Sequence, residues 1–163
     1  MTMTHYMELL ATNQPWNLIL FMAIPVILAE TVAVTELFIL FNRNISQWVK
    51  NLNKVAGIIV GFYFLGVFIY LFKTAVIPLT LNGGWRGIAD ILAVGFYLAG
   101  VVPLLGISLL EIGLIAKNKT SEEKLKLHAI FVAIFLVVAH IAMIFGMLNP
   151  DLLMGLGGGE MHM

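Results

Sequence analysis

Glu30, Glu36, Glu111 and His140 stand inside otherwise apolar stretches, where a charge has no water to hold it. An ionisable group so placed must pair, take up a cation or a proton, or stay neutral, and it marks a site or a path by default. Counted at about 1.5 Å per residue from the inner helix ends, Glu30 and His140 lie about 16 and 18 Å deep, and Glu36 and Glu111 about 8 Å deep. The spacing predicts a ladder of cation acceptors running from His140 and Glu30, expected to meet near the midplane, to Glu36 and Glu111.

Methionine supplies a second chemistry. The nine methionines, Met1, Met3, Met7, Met22, Met143, Met147, Met154, Met161 and Met163, all fall in the two tails or toward the same ends of the first and last apolar stretches. Met3-x-His5-x-Met7, Met161-His162-Met163 and the helical arc of His140, Met143 and Met147 each join thioether to imidazole, a ligand set suited to Cu(I). Copper is therefore the candidate metal. The competing account is that methionine is a common flexible core filler. Haem fits less well, because both intramembrane histidines, His128 and His140, lie on one stretch. His128 itself reads as a solvated residue at a helix start.

Tyr63, Tyr70, Tyr97 and Ser108 form a polar stripe along the second and third stretches, and Lys73 is level with Asp90, predicting a structural ion pair. The tyrosines and His140 also suit an alternative function, a membrane subunit of a haem- or quinone-linked redox complex. No serine-hydrolase, P-loop, Rossmann or Glu-x-x-His signature is present, so the sequence favours no enzymatic reaction.

The elements that must position these groups follow from composition. The chain of 163 residues is 61% hydrophobic, with a mean hydropathy of +1.00, far above the roughly 45–50% apolar content of soluble domains. Four apolar runs, residues 18–41, 55–79, 88–116 and 128–148, are each long enough to cross a hydrocarbon core needing roughly 20 residues. The predicted fold is all-α, one integral membrane four-helix bundle over residues 1–163 with short polar loops. Cysteine is absent, which excludes disulfides and thiolate metal sites.

Arg43, Lys50 and Lys54 follow the first run and Lys117, Lys119, Lys124 and Lys126 the third, whereas only Lys73 and Arg86 flank the intervening loop. The positive-inside rule puts those two loops in the cytoplasm and both termini outside, in a cell (inner) membrane. On helical wheels, Met22, Ala29, Glu30, Ala33 and Glu36 share one face, as do Asp90, Ala93, Tyr97, Gly100, Leu104, Ser108 and Glu111. Ala129, Ala133, Leu136, His140, Met143 and Met147 share another, so Glu30 and His140 are expected to point inward. Gly57-x-x-x-Gly61 permits close helix contact, and Pro25 and Pro103 predict kinks. The expected partners are the lipid bilayer and either a second copy or a larger membrane complex; with zero formal net charge and no basic patch, nucleic acid is not expected. The sequence describes a small multi-pass membrane protein that binds or transports a cation.

Overall fold

The computed structural model describes residues 3–42 and 44–150, and among these the secondary structure is helical, without strands. A short helix, α1 (His5–Ala11), precedes four long ones: α2 (Trp16–Phe41), α3 (Gln47–Leu81), α4 (Ile88–Ile112) and α5 (Ser121–Met147). Each of the four is long and apolar enough to span a membrane, and the protein is a multi-pass membrane protein. α1 was not expected. Thr4 caps it by accepting from the Met7 amide.

Chain chemistry sets the helix ends. α4 stops at Ile112 rather than at residue 116 because Gly113 takes a left-handed φ of 80°, a conformation open to a residue without Cβ. The Leu114 amide then donates to the Leu109 carbonyl at 2.9 Å. α5 begins seven residues earlier than its apolar run, at a capping box in which the Thr120 side chain accepts from the Glu123 amide and the Glu123 carboxylate accepts from the Thr120 amide. α3 also starts early and runs on from the polar link without a separate surface helix.

The prolines act through π turns. Ile19–Ala23 in α2 and Phe72–Val76 in α3 are π-helical, and Pro25 and Pro78 follow them closely. A residue at position 25 would serve the Leu20 or Phe21 carbonyl, and proline has no N–H to offer. Tyr63 and Tyr97 replace it: the Tyr63 hydroxyl donates to the Leu20 carbonyl at 2.9 Å and the Tyr97 hydroxyl to the Phe21 carbonyl at 2.5 Å. Tyr70 stacks on Phe21 with ring centroids 5.8 Å apart. The stripe of tyrosines thus clamps the broken turn of α2. α4 is interrupted at Gly100. Ser108, below Pro103, is turned to α3.

Consecutive helices pack side by side from α2 to α5, whereas α2 and α5 meet only sparsely. The central core joins Ala29 and Val32 of α2, Val60 and Phe64 of α3, Leu104 and Ile107 of α4, and Val132 and Phe135 of α5. α3 and α4 approach closely at Gly57 and Gly61, where the Ser108 hydroxyl is shared between the Gly57 and Ile58 carbonyls at 2.7 and 3.0 Å.

Candidate functional site

At the lysine-rich end of the bundle, three helices bring ionisable groups to one buried point. His128 of α5 sits between two carboxylates: Glu36 Oε2 of α2 is 2.6 Å from Nδ1, and Glu111 Oε1 of α4 is 3.3 Å from Nε2. The side chains of His128 and Glu36 are each 3% exposed and that of Glu111 is 22% exposed. Neither carboxylate approaches along a ring N–H, so among the described residues Glu36 Oε1 and both His128 nitrogens have no aligned hydrogen-bond partner. α3 closes the site. Its Asn53 amide donates to Thr35 Oγ1 at 2.8 Å, the Val32 carbonyl at 3.2 Å and Glu36 Oε2 at 3.3 Å. Gly57 lies against the site: a Cβ there would be tight on Ile107 Cγ2 at 3.0 Å and in ordinary contact with Glu111 Cγ at 3.5 Å and His128 Nε2 at 3.7 Å.

This centre forms the floor of a cavity of about 390 Å³ whose lining includes Gln47, Lys50, Asn51, Lys54 and Lys124. Glu36 and Glu111 therefore meet at one level, as their equal depth implied. His128 is the correction: it is a buried bridge two turns inside α5, not a solvated helix-start residue. The buried face of α5 is His128, Val132, Phe135, Ala142 and Gly146, one residue out of phase with the predicted arc.

That shift turns Glu30 and His140 out of the core. Both are exposed, contrary to the expected inward face, and no hydrogen bond or ion pair joins them. They line a second cavity, of about 190 Å³, between α2 and α5, together with Met22, Met143, Tyr97 and Phe135. The His140 Nδ1 donates to the Leu136 carbonyl at 2.6 Å, since a carbonyl can only accept. Met147, 70% exposed, is not among the residues lining this groove.

At the opposite end, α1 folds over α4 and α5. Asp90 is fully buried and engages His5 twice, accepting from its amide at 2.6 Å and lying 2.5 Å from Nδ1. The Arg86 amide donates to the same carboxylate at 3.3 Å, and the Arg86 guanidinium reaches the Met3 carbonyl and Glu8. The expected Lys73–Asp90 pair does not form. Asp90 is used by His5, and Lys73 is exposed without an ion pair to another described residue. Thr4 donates to the Gly146 carbonyl at 2.7 Å, and the Tyr6 ring packs on Tyr97, with centroids 5.0 Å apart. Burial pushes the Tyr6 phenol up to about 12.

Of the predicted metal ligands, His5 is thus held by Asp90, Met3 is exposed and Met7 packs into the core of this end. Met161, His162 and Met163 lie outside the described residues. Among the described residues, no group of three or more His, Cys, Asp and Glu is disposed to hold a metal ion. At the buried centre the reason is geometric: the carboxylates flank opposite edges of the imidazole instead of converging.

Residues 1–162 match a family described as a family of unknown function (DUF6803). The chain belongs to this family. No curated protein and no solved structure matches it. Membership covers α1 and all four spans together, so the buried centre, the groove and the α1 clasp all lie within the family's extent.

Proposed function

We propose that the protein binds a cation, foremost a proton, at Glu36, His128 and Glu111, and passes it through the polar interior of the bundle. The observation that carries this reading is the burial of an imidazole between two carboxylates from different spans, without aligned hydrogen bonds among the described residues, at the floor of a cavity. Groups that share protons at membrane depth exchange them with the nearest aqueous phase, which the positive-inside rule makes the cytoplasm. Glu30 and His140, in the groove on the other half of the bundle, are the next acceptors toward the far side.

In liposomes loaded with a pH-sensitive dye, the protein should speed proton entry under an imposed gradient. Glu111→Gln, which removes the most accessible carboxylate, should cut that flux by about tenfold or more. Equal flux from the variant and the unaltered protein would reject the assignment.

A second reading, Cu(I) capture, is favoured by one observation: Met22, His140 and Met143 line the same groove. The bond from Nδ1 to Leu136 fixes the His140 tautomer and leaves the Nε2 lone pair for a soft cation. Titration of the full chain with Cu(I) against a coloured chelator tests it. His140→Ala should weaken binding more than deletion of residues 156–163, because the tail raises local concentration rather than completing the site. A full-length protein that binds no Cu(I) ends this reading.

A further inference from the structure

The cavity above His128 is graded in charge along the bundle axis. Its floor holds Glu36 and Glu111, and its wall holds Lys50, Lys54 and Lys124. Lys124 precedes His128 by four residues and Lys50 precedes Asn53 by three, so both start about 4.5–6 Å outward of the carboxylates along the axis, while Lys54, next to Asn53, starts level with them. A free inorganic cation meets Lys50 and Lys124 before it reaches the carboxylates. A free anion meets two carboxylates at the bottom. A molecule with an ammonium group at one end and an anionic group at the other is attracted by floor and wall at once.

An independent observation asks for the ammonium end. Among the described residues no donor reaches the buried Glu36 Oε1, although Oε2 of the same carboxylate is paired with His128 Nδ1. A primary ammonium carries three N–H donors and is small enough to enter a cavity of about 390 Å³. We infer that this cavity binds a small zwitterion, with its ammonium group on Glu36 Oε1 and its carboxylate or phosphate among Lys50, Lys54 and Lys124. The inference rests on the reading of Glu36, His128 and Glu111 as a cation centre and names the ligand class of that site. The same chemistry occurs in free amino acids and phosphoethanolamine and in the headgroup of an ethanolamine phospholipid.

The test uses the full chain in nanodiscs of phosphatidylglycerol, which contain no amine lipid, titrated calorimetrically with phosphoethanolamine, ethanolamine and inorganic phosphate. Phosphoethanolamine should bind at least about tenfold more tightly than either half-molecule, because its two ends act as a linked pair. Glu36→Gln should remove that preference. The double variant Lys50→Ala, Lys124→Ala changes groups at the cavity mouth, so it carries the same test if Glu36→Gln does not fold. Nanodiscs of phosphatidylethanolamine separate the two sources: a lipid headgroup as occupant suppresses binding of the soluble probe, and a free ligand leaves it unchanged. Binding of ethanolamine or phosphate as tight as that of phosphoethanolamine overturns the inference, as does a preference that survives the lysine substitutions or no binding in the phosphatidylglycerol discs. Proton flux that remains sensitive to Glu111→Gln would leave the cation centre standing in each of those cases.

Discussion

His128→Ala should cost the folded bundle about 3–5 kcal/mol, the loss typical of removing one partner from a buried ion pair. The substitution leaves the Glu36 and Glu111 carboxylates facing a void, with Asn53 still donating to Glu36. Reversible denaturation in mixed micelles should show the midpoint falling steeply. Adding Glu36→Gln to His128→Ala should recover part of the loss, since an amide carries no charge to leave unpaired, and the pair of substitutions should be strongly non-additive. A midpoint equal to that of the unaltered protein would show that the imidazole holds nothing together.

Gly61→Ala should be nearly as damaging for a different reason. A Cβ at this position would stand 2.0 Å from Ser108 Oγ and 2.4 Å from the Leu104 carbonyl oxygen. The side chain could rotate away, but the backbone carbonyl cannot, so α3 and α4 must separate and the Ser108 bonds to Gly57 and Ile58 must stretch or break. Overpacking of this kind costs about 1–3 kcal/mol, with the lost hydrogen bonds added. Gly66→Ala is the control, because a Cβ there meets nothing within 4 Å. It should be neutral or stabilise the helix by up to about 1 kcal/mol. If the two alanine variants melt together, the contact at Gly61 is looser than its geometry implies.

Much of the fold was legible in the sequence because membrane spans are set by length and apolarity. The number of spans and the close approach at Gly57 and Gly61 follow from local chemistry. So does the shared level of Glu36 and Glu111, since depth is a matter of counting residues. Azimuth is harder. α5 is apolar all round, and lipid tails are as apolar as a protein core, so nothing in its hydropathy fixes which face turns inward. His140 was a reasonable marker of that face and it misled. The small pair Ala142 and Gly146, in phase with Phe135 and His128, was the better one. The Lys73–Asp90 expectation failed in the same way, correct in level but wrong in direction, because α1 returns over the bundle and delivers His5 to Asp90 first. A seven-residue helix has too little periodicity to announce such a fold-back.

The π turn at Ile19–Ala23 makes α2 two helices on one axis. One extra residue in a turn advances every later side chain by about 100°, so the portion carrying Phe21 and the portion carrying Ala29, Val32 and Glu36 are set to separate bearings. Deleting a single residue from the turn would leave the length of the span almost unchanged, yet swing the first portion by about a quarter of a revolution against the second. The carbonyls that Tyr63 and Tyr97 hold would be carried round with it. In this helix, the register of insertions and deletions is a mechanical setting, like the offset between two keys cut on one shaft.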